Sequence, residues 1–182
     1  DFKYITTDYQ ELLKSNEINT VFITTRHNDH GEKVLNSLKA GKNVFVEKPL
    51  AIYENELEEI KTFYQNLEKK PVLQVGYNRR FAPLVQEMKK VVGNLPMSIN
   101  YRVNAGVIPK DVWVQDPEVG GGRILGEACH FIDLARYLAG KASIAVRLDH
   151  FNGEPWSKED VSKIHKEAES IKDRFPKPPK RK

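Results

Sequence analysis

The sequence predicts an α/β fold: a parallel sheet with crossover helices, followed by the start of a second α/β domain built on an open sheet. Three observations predict it. Over the first 80 residues, short apolar, β-branched runs alternate with stretches of helical period. Each run is apolar on both faces, the pattern of parallel strands joined by right-handed crossovers. After Asn78 the texture changes to isolated helices, one alternating run and a long irregular stretch.

The elements follow in order. Thr7-Asp8-Tyr9-Gln10 reads as a capping box opening a short helix to Lys14. Thr20 to Thr25 is a buried strand. Asp29 or His30 opens a helix to Lys39, and Gly41 sits where a C′ glycine ends one. Asn43 to Glu47 is a second strand. Leu57, Ile60, Phe63, Tyr64 and Leu67 fall at helical spacing between Asn55 and Lys69. Pro71 to Tyr77 is a third strand. A boundary falls near 77–80. Pro83 to Val92 is helical. Met97, Ile99, Tyr101 and Val103 alternate, so 97–103 is expected to be a strand with one covered face. Gly106, Pro109, Pro117 and Gly120-Gly121-Gly122 mark irregular chain before an amphipathic helix near Glu127–Leu138. A strand is expected at Ser143–Leu148, a charged helix at 157–173 capped by Ser157, and a disordered tail beyond Phe175. The domain division is 1–78, 79–153 and a charged helix with basic tail at 154–182.

Composition bounds the function. The chain has 182 residues, is 40% apolar and 30% charged, and carries a net charge of +4, so it can bury a core. The charge is uneven: residues 154–182 hold nine basic and six acidic side chains, while 1–153 hold the remaining 20 and 19. Four of the last six residues are basic, and no aromatic residues interleave them, which argues against nucleic-acid binding. No apolar run reaches the roughly 18 residues of a membrane span. Cys129 is the single cysteine, so neither an intrachain disulfide nor a cysteine-based zinc site is expected. The expected setting is a soluble, reducing one, the cytoplasm.

Ligands of open parallel sheets bind beyond the carboxyl ends of the strands. Those ends read Thr24-Thr25-Arg26, Glu47-Lys48-Pro49 and Tyr77-Asn78-Arg79-Arg80. A lysine at such an edge donates a proton or polarises a carbonyl; the plain alternative is a solvated lysine in a turn. The Lys48–Pro49 bond is a candidate cis peptide. Glu127, His130 and Asp133 are spaced three apart, so one helix face can bring them to one site. Histidine is the natural proton carrier there; the alternative is a capping Glu127 and a structural His130. The spacing of Glu127, Cys129 and His130 does not suit zinc. Gly120-Gly121-Gly122 lacks the G-x-G-x-x-G spacing and is read as a turn or a close backbone approach.

Four ordered runs carry a resemblance: Val21 to His30, Ala40 to Pro49, Val75 to Phe81, and Gly120 to Leu134 with Tyr137-Leu138-Ala139-Gly140. Together they resemble the glucose-fructose oxidoreductase/inositol dehydrogenase/MocA family over residues 5–148. The resemblance implies a partial Rossmann sheet followed by the start of an open-sheet α/β (α+β) domain. It implies NAD or NADP as cofactor, and hydride transfer to or from a sugar, cyclitol or related polyol. Thr24, Thr25, His30, Glu47, Lys48, Asn78 and Arg79 are then the cofactor-side residues. Lys48, His130 and Glu127 are the catalytic candidates, and Lys48, His130 and Asp133 face substrate.

The chain departs from that family in two ways. The aspartate four residues before the histidine is Gly126 here, with Glu127 beside it as a substitute. This variant resembles the branch fused to zinc-type alcohol dehydrogenases. The Gly-rich opening turn is also absent from the sequence, so the expectation is a fragment of a larger enzyme, acting as a homo-oligomer or as part of a longer chain. The alternative is a non-catalytic remnant or binding module that keeps the fold without the cofactor.

Overall fold

The structure is a computed structural model that describes residues 3–93 and 97–140. Strands β1 (Thr20–Ile23), β2 (Asn43–Val46) and β3 (Leu73–Val75) form a parallel sheet in the order β1-β2-β3. Val21 lies opposite Val44, and Val46 opposite Val75. Helix α1 (Tyr9–Lys14) precedes β1, α2 (His30–Lys39) joins β1 to β2, and α3 (Glu54–Gln65) joins β2 to β3. This is the Rossmann-like parallel α/β arrangement.

Consecutive strands laid side by side with right-handed crossovers put both connecting helices on one face. Val21, Ile23, Val44 and Val46 point to that face and pack against Val34, Leu35 and Leu38 of α2 and Ile60 of α3. Each fully buried Val or Leu contributes about 1.5–3 kcal/mol. The other face differs from the sequence expectation. Phe22 is 69% exposed there and leans on Phe45, with ring centroids 5.2 Å apart. The sheet is therefore covered on one face among the described residues.

Local signals set the element ends, with shifts. Asp8, rather than Thr7, caps α1: its carboxylate accepts from the Gln10 N–H at 2.8 Å. Gly41 follows α2 at φ +70°, a left-handed turn that glycine adopts without a Cβ clash. Helix α3 stops at Gln65, short of Lys69, with Asn66 as its C-cap. β3 is trimmed to three residues because the Tyr77 N–H turns back to the Val75 carbonyl at 2.8 Å. The Lys48–Pro49 bond is cis. The Lys42 ammonium is buried and donates to the Ser15 and Ile18 carbonyls, tying the α1–β1 connection to the N-terminal edge of β2.

Beyond the sheet, α4 (Pro83–Val92) and α5 (Cys129–Ala139) pack together, and Lys89 donates to the Leu138 carbonyl at 3.0 Å. Residues 97–103 are not a strand, which corrects the alternation reading. Ile99, Tyr101 and Val103 are exposed, and no strand among the described residues lies alongside to take their backbone hydrogen bonds. Tyr101 instead stacks on Phe131 of α5 at 5.2 Å. The expected strand at 143–148, the helix at 157–173 and the tail lie outside the described residues. Among the described residues no helix is long and apolar enough to cross a membrane.

Candidate active site

The carboxyl ends of β1, β2 and β3 meet one returning segment, residues 113–133. β1 runs into exposed Thr24, Thr25 and Arg26, then a 3-10 turn at His27–Asp29. His27 is buried. Its Nδ1 lies 2.7 Å from the Gly120 carbonyl, which can only accept, so Nδ1 carries the proton. The neighbouring Asn28 N–H donates to the Val119 carbonyl at 3.1 Å. Trp113 meets the His27 ring edge-on at 4.8 Å. Gly120 is required there: a Cβ would stand 2.5 Å from the Val114 backbone.

The returning segment then enters α5 through a π-turn at Ile124–Ala128, in which the Cys129 N–H reaches back to the Ile124 carbonyl. Five-residue turns of this kind recur at functional sites. Inside it, the Gly126 carbonyl accepts the Lys48 ammonium from the end of β2. The half-buried Glu47 carboxylate covers Gly76 at the end of β3, where a Cβ would lie 3.1 Å from its Oε2.

Three further contacts join the β3 end to the face of α5. Tyr77 packs edge-on against His130 at 6.2 Å. Arg79 faces Glu127 at 3.5 Å and lies 4.7 Å from the Phe131 ring centroid. Arg80 donates through Nε and a terminal nitrogen to both carboxylate oxygens of Asp133.

The expected site residues thus divide. Lys48, His130 and Glu127 come together around the π-turn. Thr24, Thr25 and Asn78 are exposed at the strand ends. His30 is wholly buried, and its two ring nitrogens face the Pro49 carbonyl at 2.7 Å and the Thr25 carbonyl at 3.1 Å. It clamps two strand-end loops and leaves no nitrogen over for a ligand. Asp133 is buried with both oxygens on Arg80. Glu127 is directed to Arg79. Sequence reading missed His27 and Arg80. The His27/His30 spacing was visible, but nothing local to it pointed to a carbonyl 93 residues away.

Electrostatics sharpen the picture. Burial, reinforced by the Lys48 and Arg79 charges, holds the His130 imidazole below its ordinary range against the opposing pull of Glu127 and Glu47. Burial likewise lowers His27; the Gly120 hydrogen bond opposes it, and Lys48 and His30 add to it. Both rings are therefore neutral at neutral pH. Burial pushes the Tyr77 hydroxyl up to about 12, with Cys129 and Asp133 adding and Arg80 opposing. Burial also raises the Cys129 thiol, disfavouring its thiolate form.

The parallel sheet, its crossovers and this strand-end cluster define a Rossmann-type nucleotide-binding class of domain. Comparison with known proteins agrees. Residues 3–77 match the family described as "Oxidoreductase family, NAD-binding Rossmann fold", so that segment is similar to the Gfo/Idh/MocA oxidoreductases. The chain is 31% identical over 156 residues to levoglucosan dehydrogenase of Pseudarthrobacter phenanthrenivorans, covering 78% of this chain and 38% of that protein. It is 31% identical over 146 residues to scyllo-inositol 2-dehydrogenase (NAD(+)) of Bacillus subtilis, covering 73% and 39%. A solved levoglucosan dehydrogenase in complex with NADH superposes with a TM-score of 0.59 at 26% identity, over 74% of this chain and 38% of that one. The chain thus spans about two fifths of the length of the curated relatives it matches.

The donor set fits the nicotinamide end of such a cofactor. Thr24, Thr25 and Asn78 offer neutral hydroxyl and amide groups at the strand ends, next to a lysine and a neutral histidine. The 182 residues contain no G-x-G-x-x-G run for a pyrophosphate.

Proposed function

We propose that this chain supplies the nicotinamide end and the proton-handling groups of an NAD(P)-dependent dehydrogenase acting on a carbinol carbon of a sugar, cyclitol or related polyol. The observation that carries this reading is the Lys48 ammonium, seated on the Gly126 carbonyl beside a neutral, buried His130. A bound nicotinamide supplies the hydride acceptor or donor. The chain's own residues do the rest. Thr24, Thr25 and Asn78 orient the ring, and Glu47 and Arg79 border the same cleft. Lys48 donates a hydrogen bond to the reacting oxygen, and the neutral His130 takes its proton. The buried Nδ1 of His130 has no hydrogen-bond partner among the described residues. His30 and Asp133 act through others, His30 on the strand-end loops and Asp133 on Arg80. The division near residue 78 separates the sheet from the substrate-side α5.

One observation favours a second reading, a binding module without turnover: Lys48 meets a backbone carbonyl where the resembling family has a carboxylate. One experiment serves both. The chain is titrated with NADH and NADPH, following energy transfer from tryptophan to the dihydronicotinamide, and is then assayed for NADH production from inositols and levoglucosan. Saturable binding with polyol-dependent turnover supports the dehydrogenase. Binding without turnover supports the module. No binding up to about 1 mM, an affinity of about −4 kcal/mol, sinks both.

A further inference from the structure

We propose that His27, which lies outside the expected site set, is the positioning residue that sets where the Lys48 ammonium rests. The functional weight of this rests on the reading of Lys48 given above; the geometry does not.

His27 is hydrogen-bonded to the returning segment at Gly120 and faces Gly126, the residue whose carbonyl accepts from Lys48. Its Nδ1–H donates to the Gly120 carbonyl at 2.7 Å, and no other donor among the described residues reaches that oxygen. Its Cε1 lies 3.4 Å from the point where a Gly126 Cβ would stand, and the Gly120 carbonyl oxygen lies 3.4 Å from the same point. The imidazole is thus wedged between Gly120 and Gly126, the two ends of the run that carries the chain into the π-turn. Gly126 is the residue whose carbonyl holds Lys48. Trp113 closes the far side of the ring at 4.8 Å, and His30 stands 5.6 Å away, so the ring has little room to turn. The side-chain path from β1 to the β2 lysine therefore runs from His27 through the Gly120 carbonyl to the Gly126 carbonyl, beside the Asn28–Val119 backbone bond.

Removing the donor frees the Gly120 carbonyl and with it the run that presents Gly126. Asparagine places its amide nitrogen where Nδ1 lies and keeps the bond, whereas phenylalanine keeps the ring volume and loses it. The test is competitive amine labelling of the chain, read lysine by lysine by mass spectrometry. Lys42 is the internal control: it is buried at the opposite end of the strands, held by the Ser15 and Ile18 carbonyls.

In His27→Phe, Lys48 is expected to label several-fold faster than in wild type while Lys42 is unchanged. In His27→Asn, Lys48 is expected to label as in wild type. The proposal is overturned by a wild-type Lys48 rate in His27→Phe. It is also overturned by Lys42 rising alongside Lys48, which marks a merely structural histidine, or by His27→Asn behaving like His27→Phe. If His27→Phe does not accumulate folded, His27→Leu is the second donor-free variant, read against the same outcomes. The readout needs neither cofactor nor turnover, so its failure is separable from failure of the dehydrogenase reading.

Discussion

Arg80 lays its guanidinium across both carboxylate oxygens of Asp133, joining the end of β3 to the middle of α5 over 53 residues of chain. Planar bidentate pairing of this kind fixes direction as well as distance. With the Arg79–Glu127 and Tyr77–His130 contacts it registers the histidine helix against the sheet. Asp133 is nearly buried while Arg80 is 38% exposed, so the two partners are not equivalent.

Arg80→Ala leaves a buried carboxylate unpaired. It should destabilise the chain by about 2 kcal/mol, less than the roughly 3–5 kcal/mol of a fully buried pair because the arginine is partly solvated. Adding Asp133→Asn should recover part of that loss. Urea unfolding of the two single variants and the double variant gives the coupling, and strict additivity would remove the pair from the account.

Lys48→Met should raise the titration midpoints of both His27 and His130, since its charge lowers each. Burial keeps them below the ordinary histidine range. The sign for stability follows. Both folded values lie below the unfolded one, so the unfolded chain binds more protons near pH 6 and stability falls as pH drops through about 6.5 toward the folded values. Lys48→Met should narrow that loss. Proton NMR of the imidazole Hε1 signals, paired with thermal melts across the same range, checks both halves.

Under the proposed dehydrogenase function, Lys48→Ala should reduce polyol turnover by about 10²–10⁴-fold, the usual contribution of a positioned proton-handling group. NADH affinity should change far less. Turnover within a few-fold of wild type would remove Lys48 from its role.

Tyr77 should ionise late, near 12, because burial disfavours its phenolate. Its folded value is raised, so the stability it confers is complete below about pH 10 and is lost as pH rises toward that value. Ultraviolet titration at the phenolate band should lose a step near pH 12 in Tyr77→Phe. An unchanged curve would mean the ring is solvated.

Gly120→Ala should be costly, about 1–3 kcal/mol, because the new Cβ meets backbone that cannot swing away. Gly126→Ala meets only ordinary contacts at 3.4 Å and should be near neutral or slightly stabilising in its helical turn. Melting temperatures of the two variants, compared side by side, decide this.

Much of the fold is legible in local pattern. The β-branched runs at Thr20, Asn43 and Leu73, the period of α2 and α3, and Gly41 and Gly140 after their helices are short-range signals. The alternation at 97–103 misled because a strand is completed by its neighbour, and none of the described residues supplies one. The equal spacing of Glu127, His130 and Asp133 suggested one convergent face. The π-turn ends at Ala128, between Glu127 and His130, and Glu127 goes to Arg79 and Asp133 to Arg80.

The sequence by itself therefore determined the alternation of strands and helices, the three polar strand ends, and the lysine and histidine proposed to handle a proton. The periods that encode these lie within a few neighbouring residues. Only the tertiary structure decided that Lys48 rests on the Gly126 carbonyl, that His30 is a clamp, and that His27 wedges the returning segment. Those contacts span 78, 19 and 93 residues, and each depends on where a separate element docks rather than on any local preference.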